Sequence, residues 1–163
     1  ALLRSLHPEL LLVRVGPGWT PELEARIDRL GIRDGIRLLP RLEQVELAEL
    51  YRQAAVVLMT SESEGFGMPL IEALASGSLI VVSDIAVLRE VGGEAAVYCP
   101  VGEPQAWAKT ISHLLKQPDA APDRDFRLQH AKRYTWSVHA QTIAEAYRER
   151  ILPQFNGQPQ GAR

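Results

Sequence analysis

Glu64 and Glu72, with seven residues between them, flank the run Gly65-Phe66-Gly67-Met68-Pro69. Ionised carboxylates are acceptors that pair well with the hydroxyls of sugars and riboses. Glycines let a ligand approach the backbone closely, and amides left unpaired where a loop turns into a helix donate to ligand oxygens. Together these features describe a cradle for a polar, oxygen-rich ligand. The same residues also have plainer uses: Glu72 can complement a helix dipole, and Gly65 and Gly67 can shape a turn.

A cradle of this kind needs a strand before it and a helix after it, and the flanking sequence supplies both. The apolar run Ala54–Met59 has the length of a buried strand, and Met68–Ser76 reads as a helix with Pro69 near its start and Gly77 at its end. Similar units recur from Leu10 to about Leu115. Candidate strands are Leu10–Val15, Gly35–Leu39, Ala55–Met59, Leu79–Val82 and Ala96–Cys99. Alternation of short apolar runs with amphipathic stretches predicts an α/β fold with a largely parallel sheet. The helix after the first strand is well marked, with Thr20 as cap, Pro21 in the first turn, Glu22 and Glu24 at the positive end of the dipole, and Gly31 as stop. Its inward face is expected to be Leu23, Ile27 and Leu30. Val45–Gln53 carries Leu47, Leu50 and Tyr51 at helical spacing, and Pro104 opens a helix with Trp107, Ile111, Leu114 and Leu115 on one face. Helices are also expected over Asp123–Lys132 and Ser137–Ile151.

Composition narrows the function classes. Eighteen basic against twenty acidic residues in a 163-residue chain give a net charge of -2, so the basic field that nucleic acid or an anionic membrane usually requires is absent. No apolar run approaches a membrane-spanning length. The single cysteine, Cys99, cannot form an internal disulfide, which fits a reducing, cytoplasmic compartment. His7, His113, His130 and His139 show no metal-ligand spacing and read as surface or helix-face residues, so no metal site is expected. No serine lies in a Gly-x-Ser-x-Gly context, which disfavours a serine hydrolase. Residues 1–152 read as one domain, and the polar, proline- and glycine-bearing segment 153–163 as a mobile tail. The opening residues Ala1–Pro8 read as the end of a helix already under way, so the chain is expected to be a fragment.

Beyond the glycine loop itself, Ala73-Leu74-Ala75-Ser76-Gly77, Val81-Val82-Ser83-Asp84, Leu88-Arg89-Glu90-Val91, Gly102-Glu103-Pro104 and Tyr134-Thr135-Trp136 follow in order. This succession resembles the GT-B-fold glycosyltransferases of group 1, also called family 4. The likeness covers nearly the whole chain to about Ile151. It implies the Rossmann-like, carboxyl-terminal half of a GT-B fold, which binds a nucleoside diphosphate sugar in a retaining, metal-independent transfer to a hydroxyl. It further implies that Glu64, the catalytic candidate, contacts hydroxyls of the transferred sugar. Gly65, Phe66, Gly67 and Met68 would bind the sugar and phosphate side through their amides, and Glu72 would hold the ribose. Gly16, in the loop Gly16-Pro17-Gly18, would face the nucleotide crevice, although Pro21 stands where a dinucleotide fingerprint wants its third glycine and the loop also reads as a simple turn. Arg41 lies where the family contacts the base, and equally suits a solvated loop. Glu90 falls in a loop at the same sheet edge by resemblance, or at a helix end as a surface residue.

Thr60 and Leu79 replace prolines usual in the family, and the arginine and lysine that the family uses to neutralise the departing diphosphate have no counterpart in this sequence; Arg4 comes too late in the order. The resemblance therefore implies that the chain alone is inactive, while its parent transfers sugar to a glycan or lipid-linked acceptor held by another domain. The parent is expected in the cytoplasm, peripheral to a membrane. A non-catalytic nucleotide-sugar-binding or interaction module remains an alternative, as does a GT-B-fold sugar epimerase, which explains the Trp136 helix less well. In a doubly wound sheet the first strand lies centrally, in the order 3-2-1-4-5-6. By resemblance that strand is missing here. The expectation is that Leu10–Val15 and Ala55–Met59 close up directly in one sheet, that another chain fills the slot by self-association, or that the missing strand belongs to the protein but lies outside this sequence.

Overall fold

The computed structural model describes residues 1–151, and the expected tail at 153–163 lies outside the described residues. Helix α1 (Leu2–Leu6) precedes β1 (Leu12–Val15), α2 (Pro21–Arg29), β2 (Ile36–Leu39), α3 (Gln44–Gln53), β3 (Val57–Met59) and α4 (Met68–Ala75). Then follow β4 (Ile80–Ser83), α5 (Ala86–Gly92), β5 (Val97–Cys99), α6 (Pro104–Lys116), α7 (Arg124–Ala131) and α8 (Trp136–Ala146). Every strand expected from the sequence is present within two residues of its reading, and every ladder is parallel. Helix α5 has no counterpart among the expected elements, and a π-helical turn at Tyr147–Ile151 ends the long helix expected over Ser137–Ile151.

The core belongs to β3, β4 and β5. Central strand β4 is buried throughout, and its side chains alternate between two apolar layers as the pleat requires. Ile80 and Val82 pack with Leu70, Leu74, Leu88 and Val91 of α4 and α5, while Val81 and Leu79 pack with Cys99, Ile111 and Leu114 on the α6 side. Cys99 is a buried free thiol. Buried His130 of α7 bonds the Val91 carbonyl through Nε2 at 2.7 Å, so this histidine is an interior residue rather than the surface or helix-face group expected.

The five strands do not close into one sheet. β1 pairs only with β2, while β3, β4 and β5 form a separate sheet in that order, contrary to the expected direct pairing of Leu10–Val15 with Ala55–Met59. Helix α1 supplies a link that strand pairing would otherwise provide. Leu3 packs into the α6-side core, His7 hydrogen-bonds Ser112 of α6 at 2.8 Å, and Arg4 reaches across to Asp34 at 2.7 and 3.1 Å. The narrow β1–β2 sheet also corrects the expected face of α2. Thr20 Oγ1 accepts from the Leu23 amide as a cap should, but only Ile27 is buried, while Leu23 and Leu30 remain 42% and 47% exposed. Two strands give that helix too little surface to cover its stripe.

Candidate functional site

Strand β3 delivers the chain at Met59 to the loop 60–67, and Gly67 then starts α4 from a left-handed conformation, φ 91° and ψ 48°. A Cβ at Gly67 would lie 2.6 Å from Leu88 Cδ2, so both the backbone angle and the space demand glycine. Phe66 is fixed by an edge-on contact with Tyr134, ring centroids 5.8 Å apart. Among the described residues the amides of Gly65, Phe66, Gly67 and Met68 make no backbone hydrogen bond, which leaves a row of donors at the loop and helix start.

The two glutamates are held in matching ways. Ser61 Oγ donates to Glu64 Oε1 at 2.6 Å, and Tyr51 Oη donates to Glu72 Oε2 at 3.2 Å. No buried side-chain oxygen or nitrogen among the described residues lacks a partner, so the second oxygen of each carboxylate, which meets no protein donor, opens to solvent. Each carboxylate thus has one oxygen fixed and one offered. Burial pushes the Tyr51 phenol above its ordinary pKa, and the Glu72 charge raises it further, so it stays a protonated donor at neutral pH. Tyr51 is anchored from behind as well, since Ser78 Oγ, just past α4, donates to its carbonyl at 2.6 Å.

Sequence reading missed Ser61 and Tyr51 as parts of the site. Helical spacing by itself makes Tyr51 only an inward-facing residue of its helix. The usable signal was its chemistry, because a tyrosine on a buried face needs a hydroxyl partner.

The remaining candidates fall elsewhere. Gly16, with φ 130°, donates its amide to the Leu39 carbonyl at 3.0 Å where β1 and β2 end, and a side chain there would meet open space. Next to it Arg14 stacks over Trp19 at 4.3 Å and donates to the Pro17 carbonyl. Arg41 is exposed between β2 and α3. Gly16 and Arg41 therefore sit on the two-stranded unit, which shares no ladder with β3. Glu90 is exposed in the last turn of α5, on a helix rather than in a loop. Two surface depressions, about 310 Å³ along α7 and about 230 Å³ between Trp19 and Leu38, include neither glutamate. The cradle is an open ledge at a strand end. No cluster of three or more potential metal ligands occurs among the described residues.

A sequence profile described as "Glycosyl transferases group 1" matches residues 1–133. The chain belongs to the group 1 glycosyl transferases. Among curated members it is 34% identical over 136 residues to a D-inositol 3-phosphate glycosyltransferase of Thermobispora bispora, covering 82% of this chain and 32% of that protein. A protein of the same name from Corynebacterium urealyticum is 34% identical over 129 residues, 77% of this chain and 30% of the other. The chain thus spans about a third of the length of these relatives.

Solved structures give the fold directly. Sucrose-phosphate synthase from Thermosynechococcus elongatus superposes with a TM-score of 0.78 at 22% identity, over 93% of this chain and 42% of that one. HepE from Anabaena, solved with UDP and glucose, gives 0.79 at 22% identity over 90% of this chain and 43% of that chain. The pneumococcal O-GlcNAc transferase GtfA, solved with UDP and GlcNAc, gives 0.74 at 25% identity over 90% of this chain and 31% of that one. The architecture is that of GT-B glycosyltransferases.

Proposed function

We propose that the chain is the donor-binding portion of a retaining, metal-independent glycosyltransferase that moves a sugar from a nucleoside diphosphate to a hydroxyl. The observation that carries this reading is the pair Glu64 and Glu72, each with one oxygen fixed by a hydroxyl and one open, on either side of four amides at the loop and helix start that have no backbone partner. In this arrangement Glu64 accepts from hydroxyls of the sugar and Glu72 from those of the ribose. The amides at Gly65–Met68 donate to oxygens between them, where the positive end of α4 favours negative charge. Charge developing on the departing diphosphate is stabilised by such fixed donors without reorganisation. Uridine diphosphate is the first nucleotide to test, because GtfA is described with UDP bound. The acceptor glycan or lipid-linked acceptor is met by other parts of the parent, at the cytoplasmic face of a membrane.

Steady-state kinetics on the full-length parent test the assignment. Glu64→Gln is expected to lower kcat strongly and Glu72→Gln mainly to raise the donor KM, each by roughly 10- to 150-fold, the equivalent of a lost charge-assisted hydrogen bond of about 1.5–3 kcal/mol. Wild-type values in both variants would sink the assignment. A parent that binds donor yet transfers nothing would be a binding module.

The open edges of β1 and β3 lead us to a second proposal, that isolated chains self-associate by strand pairing. Leu12 and Leu58, on those strands, are 46% and 38% exposed. Light scattering on the isolated chain is expected to show a dimer, and a monomer at high micromolar concentration would refute the pairing.

A further inference from the structure

We infer that Tyr51 is a positioning residue for nucleotide binding, acting through Glu72; the inference rests on the ribose role proposed above for that glutamate. A glutamate has three side-chain torsions, and on the exposed flank of a helix it samples many rotamers whose loss opposes ligand binding. Glu72 is spared part of that loss. Tyr51 Oη meets Oε2 at 3.2 Å and leaves Oε1 open. A phenol donor suits the task better than a cation would. It neither neutralises the carboxylate nor uses up its second oxygen, so the full charge remains available to the two hydroxyls of a ribose.

The support behind Tyr51 is built into the fold. Its ring packs against the apolar layer around Leu70 and Leu74, its carbonyl is gripped by Ser78 Oγ, and Arg127 in turn ties the Gly77 carbonyl at 2.9 Å. Helix α3 is thereby registered against α4 at the level of Glu72. Because the phenol is half-buried and its pKa is raised, it remains a donor across the physiological range. Twenty-one positions separate Tyr51 from Glu72, so nothing in the glycine-loop motif contains this contact.

The test uses the 163-residue chain and two ligands, UDP and 2′,3′-dideoxy-UDP, the second lacking the hydroxyls that Glu72 would accept. Dissociation constants are read from NMR titrations of the wild type, Tyr51→Phe and Glu72→Gln. Tyr51→Phe keeps the ring and is expected to weaken UDP about fivefold while leaving dideoxy-UDP unchanged; a fivefold change is about 1 kcal/mol. A purely structural role would weaken both ligands alike. Equal weakening, or no change for either ligand, overturns the inference while Glu72→Gln still weakens UDP. If Glu72→Gln itself leaves UDP binding unchanged, the ribose assignment fails, and the role of Tyr51 with it.

Discussion

The two halves of the sheet are made of similar strand sequence and reach very different states. β1 and β2 read Leu-Val-Arg-Val and Ile-Arg-Leu-Leu, β4 reads Ile-Val-Val-Ser, yet among residues 1–58 only Ile27 and Gly35 are buried. β4 has a strand on each side and helices on both faces, whereas β1 and β2 have one strand neighbour each. Burial in a parallel sheet therefore depends on neighbours more than on a strand's own hydrophobicity. The difference also divides the candidate site. Glu64, Glu72 and the glycine loop are rooted in the well-packed half, while Gly16 and Arg41 ride on the thin one.

If this contrast is right, deleting the same apolar volume from the two halves costs very different amounts. Leu74→Ala, at a fully buried position of α4, is expected to cost about 2–5 kcal/mol. Leu38→Ala in β2, already 39% exposed, should cost less than about 1 kcal/mol. Urea denaturation of both variants decides the point, and comparable losses would break the comparison. Gly67→Ala sharpens it at the loop itself. The left-handed backbone and the contact with Leu88 predict a loss of about 1–3 kcal/mol together with weaker nucleotide binding, measurable by the same denaturation and by calorimetry. A smaller effect belongs to the thin half. Thr20→Ala removes the cap on α2 and is expected to cost about 1 kcal/mol or less. Hydrogen exchange should show that loss as faster opening of α2 alone, with β4 amides unaffected; acceleration at β4 would mean the two halves open as one unit.

Much of the fold was legible because it is written in local signals. Strand positions followed from apolar runs, and the ends of α2, α4 and α6 from Thr20, Pro21, Pro69, Gly77 and Pro104. Helix α5 was lost because Ala86–Gly92 is short and ends at a glycine pair that reads as a turn. The burial of Leu23 and Leu30 was misjudged because periodicity says which residues share a face, not whether anything covers it. The bridge by α1 depends on side chains such as Arg4 and His7 reaching partners 30 and 105 positions away. At the site, the glycine loop and its two glutamates were legible as a contiguous motif. Tyr51 was not, since its link to Glu72 exists only once α3 lies on α4.

The central claim is that the ledge between Glu64 and Glu72 binds a nucleotide sugar. Titration of the ¹⁵N-labelled chain with UDP-glucose, followed residue by residue, tests it most directly. The account predicts that the largest amide shifts fall on Gly65, Phe66, Gly67 and Met68, with Glu72 and the start of α4 next, and that millimolar ligand is needed because binding is weak. Perturbations centred instead on the depression between Trp19 and Leu38, or on the one along α7, with the glycine loop unmoved, would contradict it.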